Sequence, residues 1–400
     1  MENKDRKFLK GALTGALVML ILIVGIGTAL YFGAFGGTLL SGQGGLQTRM
    51  KLGVLSTLID EYYLYDTSEE ELQEGIYAGF INALGDKYSR YYDEEATKSM
   101  LESSAGQYSG IGAGFAYNEN GDMEIVHVYE GAPAEAAGLL VGDILYQVDD
   151  HVIVREMKNQ TYSEKLEEVQ SWIKGEAGTE VVLHVYRDDV PMELKITRAE
   201  FTLPTVSSEM MEDSIGYLRI EEFDQVTYEQ FQTAMADLES QGMQKLVIDL
   251  RGNPGGDVDV TCDILRQLLP EGLIVYTEDK NGKRVDYSCD GKNTFEKPLV
   301  VLVDQNSASA SEIFTGAVQD YGIGTIVGTT TYGKGIVQNL YNLQDGTYVA
   351  LTNSEYFTPK GRSIHEKGIE PDVVVGYEED TENPDADNQL QKAMEVLKEN

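Results

Sequence analysis

In this 400-residue chain, two loops place chemically able groups where a hydrophobic strand gives way to a helix. In residues 301–322 (VLVDQNSASASEIFTGAVQDYG) a strand pattern ends at Asp304, three serines follow, and a helical pattern begins near Ser311. A serine at a helix entrance lies beside unpaired backbone N–H groups, a setting that can stabilise the oxyanion of acyl transfer. The stretch from Ser309 to Glu312 also spells an ordinary capping box. In residues 246–256 (LVIDLRGNPGG) glycines directly after a buried strand allow backbone N–H groups to face a ligand, or simply form a βα turn. A serine hydroxyl needs a base. None of His127, His151, His184 and His365 has a convincing partner, and His365, in GRSIHEKGIEPD, reads as a surface turn. Lys334, in TTTYGKGIVQNL, sits between glycines at the start of an apolar strand. Partial burial there would lower its pKa, so that a neutral amine accepts the serine proton. Gln338 lies four residues on and in a strand would share a face with Lys334, its amide holding the amine. The spacing from Gly328 to Lys334 mimics a phosphate-binding loop, but Gly335 stands where magnesium would need Ser or Thr.

These loops need a scaffold. From Phe201 to about Gly376, strand patterns (215–220, 245–250, 299–303) alternate with helical ones (228–241, 258–269, 311–321), which predicts βαβ units and an α/β core with its site at the strand ends. Residues 107–198 carry short β-like runs (124–129, 144–148, 180–186, 192–197) around helical segments 132–137 and 161–174. Residues 46–103 are helically spaced, through Leu52, Leu55, Leu58 and Ile59 and later Ile76, Phe80, Ile81 and Leu84, with a break at Gly85-Asp86. Leu390, Ala393, Met394 and Leu397 predict a docking helix near the C-terminal end.

Composition narrows the partners. With 31 Lys+Arg against 67 Asp+Glu the net charge is −36, and such a polyanion is repelled by nucleic acid and anionic headgroups. No HExxH and no CxxC occurs, so neither a metal nor another cofactor is expected; whether Cys262 and Cys289 pair stays open. Lys4, Arg6, Lys7 and Lys10 precede an apolar run over 11–35 that exceeds the roughly 20 residues needed to cross a bilayer. The run is also longer than the about 7–15 residues of a signal-peptide core, the rival reading of this segment. By the positive-inside rule residues 1–10 are cytoplasmic, 36–45 form a flexible linker, and the remainder lies outside a plasma membrane.

Two resemblances sharpen this reading. YSGIGAGF followed by VYEGAPAEAAGLLVGDILYQVDDHVI resembles a PDZ domain, over 105–199. Its Gly110-Ile111-Gly112 turn corresponds to the carboxylate-binding loop, an anion nest beside a sheet edge that accepts an extended peptide. With DLRGNPGG, SASASEI, TTTYGKGIVQ and TPKGRSIHEKGIEPDVVV, the chain resembles the carboxyl-terminal processing peptidases, the tail-specific serine proteases. That resemblance implies an enzyme with a crotonase-like α/β protease core over 200–376, an inserted PDZ domain, a helical N-terminal region over 46–104 and a C-terminal tail over 377–400, while the apolar anchor and basic flank fit a bacterial plasma-membrane protein. It implies Ser309 as nucleophile, Lys334 as base and Gln338 as its orienting group. The oxyanion hole would come from the N–H of Ala310 and of Gly255 or Gly256. The implied substrates are proteins or peptides with free C-termini, and the family's habit of pairing implies a homodimer. The competing reading is an inactive tail-binding adaptor.

Overall fold

Core strands alternate between two buried faces. In Lys245–Asp249, Leu246 and Ile248 point into one apolar cluster and Val247 into another. In Leu299–Val303, Leu299, Val301 and Val303 face the first cluster while Val300 and Leu302 face the second. Strands covered on both sides read as continuous apolar runs, which is why LVVLV has no polar alternation. The sheet they belong to has the order Val206–Met210, Ile215–Ile220, Lys245–Asp249, Leu299–Val303, Thr325–Gly328, Val373–Val374, and only the first pairing is antiparallel.

Helices Thr227–Ser240, Val258–Leu265 and Ala310–Tyr321 cover one face, through Phe231, Leu238, Ile264, Phe314 and Val318. The C-terminal helix Asn388–Glu399 covers the other, with Ala393 and Leu397 fully buried against Ile215, Val247, Val300, Leu302 and Val327. A second, antiparallel sheet joins Arg90–Tyr92, Tyr348–Phe357, Gly272–Asp279 and Arg284–Cys289, with Ile336–Asn342 also paired to Tyr348–Phe357. Cys262 and Cys289 are buried and free.

A second core lies between Ile111 and Ile196, apart from the central sheet. Strands Ala113–Tyr117, Met123–Val128, Ile144–Val148, Glu180–Arg187 and Val190–Thr197 make one sheet, with His151–Val152 beside the third. Ile125, Leu145, Val169, Val181 and Leu183 bury a cluster separate from those of the central sheet. The chain enters and leaves through a ribbon in which Gln107–Gly110 pairs antiparallel with Ala199–Thr202.

The structure is a computed structural model that describes residues 42–154, 162–378, 383 and 386–399. The membrane segment expected over 11–35 lies outside the described residues, and among the described residues no helix is long and apolar enough to cross a membrane. The linker expected over 36–45 is corrected at its end, because helix Gly42–Tyr62 runs back through Gln43, Gly44 and Gly45. Once nucleated by its apolar stretch, a helix extends more cheaply than it starts, even across glycine. The chain divides into two units, residues up to Ile76 and Tyr77–Asn400, and the sheets above belong to the second. In the first, Leu46, Met50, Val54 and Leu58 of helix Gly42–Tyr62 are exposed.

Replacing fully buried Leu397 by Ala removes the anchor of the C-terminal helix and is expected to cost about 2–4 kcal/mol. Denaturant unfolding with the midpoint unchanged would contradict this docking.

Candidate active site

Parallel strands direct their following loops to one edge of the sheet. The loops after Lys245–Asp249, Leu299–Val303 and Thr325–Gly328 therefore converge, carrying Asn253 to Gly256, Ser307 to Ser311 and Thr331 to Gly335. Backbone and side-chain bonds stitch them together: Ala308 N–H donates to Asn253 O (3.0 Å), Tyr332 N–H to Ser307 O (3.0 Å) and Gly252 N–H to Asp304 Oδ1 (2.9 Å).

The three serines of SASAS differ in fate. Ser307 is fully buried and donates to Leu250 O (2.8 Å); Ser311 is fully buried and donates to Asn253 O (3.1 Å). Ser309 alone is partly accessible, and its backbone takes φ 56° and ψ −114° at the N-terminus of helix Ala310–Tyr321. A positive φ in a residue with a side chain costs on the order of 1–3 kcal/mol and survives only where its surroundings impose it.

One carboxylate supplies much of that surrounding. Glu312 is fully buried. Its Oε2 accepts the N–H of Ser309 (2.9 Å) and of Lys334 (2.8 Å), and its Oε1 accepts the Thr331 hydroxyl (2.6 Å) and the Gly333 N–H (2.7 Å). Burial pushes this carboxyl above its ordinary range, against the pull of the four donors. The capping-box spelling thus marks more than a helix start.

Glycines at close approach shape the rest. A Cβ on Gly335 would lie 2.3 Å from the backbone nitrogen of His365, and Gly333, at φ 91°, accepts the N–H of Glu366 (2.8 Å). Gly255, at φ 111°, packs so closely that a Cβ would meet Ser309 Cβ at 2.8 Å and Ala310 N at 2.9 Å. Gly256 instead packs on the backbone of Phe223. Of the two glycines, Gly255 is therefore the one against Ser309, and its N–H donates to Asn253 Oδ1 (2.8 Å).

The Lys334 ammonium nitrogen stands 4.9 Å from the centroid of the Tyr88 ring. Burial lowers the pKa of this amine, nearby Lys87 lowers it further, and Tyr332, Asp86 and Glu312 oppose the shift. Gln338 Nε2 donates to Thr352 Oγ1 (3.1 Å). The strand face expected to carry both Lys334 and Gln338 is not formed. The strand begins only at Ile336, after the Gly333 turn, and a bulge between Val337 and Gln338 breaks the alternation. Sequence reading missed Tyr88, Asn253 and the reach of Glu312; only the Ser-x-x-Glu spacing signalled any of them.

Far along the sequence, Gly110, Ile111 and Gly112 precede Ala113–Tyr117, the edge strand of its sheet. Ile111 O and Gly112 O accept the N–H of Ala134 (2.7 Å) and of Tyr129 (3.1 Å), which turns these carbonyls into the domain. Gly112, at φ 72°, leaves only 2.2 Å between a Cβ and that of Ala132. The turn borders an open groove of about 920 Å³, lined by Phe115, Tyr129 and Phe201 and by helix Glu94–Ser104. Among the described residues no cluster suited to a metal ion occurs.

Gly335→Ala is expected to push the Lys334 loop off the His365 backbone and to lower cleavage by about 100-fold, since about 1 Å of misplacement suffices for that. Wild-type initial rates for the variant would show that the 361–369 segment yields.

A profile described as Peptidase family S41 matches residues 214–375, and one described as a PDZ domain matches 124–187. The carboxyl-terminal-processing protease of Synechocystis sp. is 36% identical over 329 residues, covering 79% of this chain and 75% of that protein. The carboxy-terminal processing protease CtpA of Bacillus subtilis is 34% identical over 325 residues, covering 81% and 68%. In fold, the chain is similar to the crystal structure of a putative S41 protease from Bacteroides fragilis, with a TM-score of 0.53 at 17% identity over 86% of this chain and 96% of that one. A mixed α/β core that gathers three strand-end loops around an accessible serine, joined to a PDZ domain, is thus accounted for: the chain belongs to the carboxyl-terminal-processing serine proteases of peptidase family S41.

Proposed function

We propose that Ser309 is the nucleophile and Lys334 its general base in the cleavage of proteins near their C-termini, with the tail held by the PDZ domain. The carrying observation is that Ser309, the one accessible serine of its loop, shares a single carboxylate oxygen of Glu312 with Lys334 through the backbone N–H of each. The tail's carboxylate would sit on the N–H groups of the Gly110-Ile111-Gly112 turn while its backbone extends the free edge of Ala113–Tyr117.

Neutral Lys334 takes the Ser309 proton as Oγ bonds to the scissile carbonyl carbon. The resulting oxyanion is met by the Ala310 N–H at the helix N-terminus and by Gly255 N–H, once the latter exchanges its bond to Asn253. The Lys334 ammonium then returns the proton to the departing amine, the C–N bond breaks, and an acyl-enzyme remains. Water, losing a proton to Lys334, attacks the ester; the Oγ–C bond breaks as Lys334 returns that proton to Ser309 Oγ, and the new carboxyl terminus is released. Gln338 orients the amine when it leaves Thr352. The apolar run over 11–35 would anchor the enzyme in a plasma membrane with the strongly acidic protease outside, its excess of Asp and Glu discouraging contact with anionic headgroups.

Digestion of an unfolded protein, with products read by mass spectrometry, tests the chemistry. Lys334→Ala is expected to slow cleavage about 10²–10⁴-fold and Ser309→Ala at least as much, each with tail-peptide binding intact. Wild-type rates should rise with pH through a midpoint below that of a free lysine, because the protonated amine cannot act as base. Undiminished cleavage by either variant would sink the assignment. Deleting residues 1–41 spares every described residue and is expected to move an active enzyme from the membrane pellet to the soluble fraction; a truncated chain that still pellets would refute the anchor.

A further inference from the structure

Tyr356 lies in strand Tyr348–Phe357 and is 1% exposed. A phenol that deep must place its hydroxyl on a partner. Its O–H faces two carbonyl oxygens, that of Ser309 at 2.8 Å and that of Lys334. These belong to loops 25 residues apart in sequence, and one phenolic proton serves both. The Tyr356 N–H also donates to Gly335 O (3.0 Å), next to Lys334.

From this geometry we infer that Tyr356 is a positioning residue for the Ser309 and Lys334 side chains, an inference that rests on the Ser309/Lys334 reading above. Glu312 takes the N–H of both residues and Tyr356 takes the C=O of both, so each residue is pinned on either side of its Cα. The backbone on both sides of Cα sets the direction of the Cα–Cβ bond, and with it where Oγ and Nζ can reach. The two anchors differ in what else could replace them. Ser309 O also receives the N–H of Glu312 (2.9 Å) and of Ile313 (3.1 Å), so the helix holds it without help. Lys334 O, ahead of its strand and between two glycines, has no partner but the phenol among the described residues. Loss of the hydroxyl therefore acts chiefly on the base. Burial keeps the phenol protonated and hence a donor throughout the working pH range. Among the described residues Tyr356 does not line the groove beside the Gly110-Ile111-Gly112 turn.

The test compares full-length Tyr356→Phe with Tyr321→Phe, whose hydroxyl donates to Leu273 O (3.0 Å) and to neither loop. Steady-state cleavage of one tailed peptide is measured across pH, beside thermal unfolding and Ser309→Ala and Lys334→Ala. For Tyr356→Phe we expect kcat to fall about 10–100-fold with KM within about two-fold, and the acid limb of the rate profile to move toward that of a free lysine. Tyr321→Phe keeps the wild-type kcat, KM and profile. The inference is overturned if Tyr356→Phe retains wild-type kcat and profile, or if it loses activity only in step with its unfolded fraction, or if it fails to fold, since a hydroxyl needed for folding is structural. Cleavage by Lys334→Ala or Ser309→Ala at the wild-type rate would instead remove the underlying assignment, and is read without reference to Tyr356.

Discussion

A single buried carboxylate organises the site. Taking Glu312 out of water is costly, and the cost is met only because four donors from one loop, Thr331 to Lys334, and from the helix N-terminus at Ser309 converge on it. The arrangement is therefore mutual: the loops hold the charge and the charge holds the loops. Removing any one donor leaves the remainder around an under-satisfied buried group, so the positive φ of Ser309 and the Gly333 turn stand or fall together. The position of Glu312 in the first turn of its helix adds a favourable dipole interaction.

The two sheets contribute different things to that cluster. The parallel sheet delivers three loops to one edge because all its strands from Ile215 onward point the same way. The antiparallel sheet brings in side chains from distant sequence: Arg90–Tyr92 pairs with the start of Tyr348–Phe357, Arg90 lying opposite Ala350, and Ser89 Oγ accepts the Thr352 N–H (3.0 Å). Tyr88 thereby reaches Lys334. Its ring face favours the ammonium form while burial favours the neutral amine, and these opposed pulls act on the same nitrogen.

The PDZ domain joins the core through the ribbon of Gln107–Gly110 and Ala199–Thr202. Its groove, however, is not built from the domain alone. Helix Glu94–Ser104 lines it, and that helix follows directly on Arg90–Tyr92, the strand paired to Tyr348–Phe357. Thr352 and Tyr356 lie on that same strand, bonded to Gln338 and to the Ser309 and Lys334 carbonyls. Covalent and hydrogen-bonded links thus connect the wall of that groove to the loops carrying Ser309 and Lys334.

Much of this was legible in the linear chain, because it depends on local chemistry. The alternation of strand and helix patterns named Ile215–Ile220, Leu299–Val303 and the helix ending at Tyr321, and the amphipathic spacing of Leu390 to Leu397 named the helix that covers the sheet. The motifs around Ser309 and Lys334 read equally as a capping box and ordinary turns, and only the family resemblance of the whole set made them specific. Other features were out of reach. The second sheet pairs residues some 260 positions apart, a register that no local pattern records. The Lys334–Gln338 strand face failed because a bulge, set by tertiary pairing, offset the alternation. Gly255 and Gly256 look alike in sequence and differ only in what each packs against. Sequence alone determined which groups are chemically able and which elements carry them, since propensity and periodicity act over a few residues. Which donor meets which oxygen at Glu312 and Tyr356 was decided only by the tertiary structure, because those contacts join segments whose approach depends on the packing of the whole core.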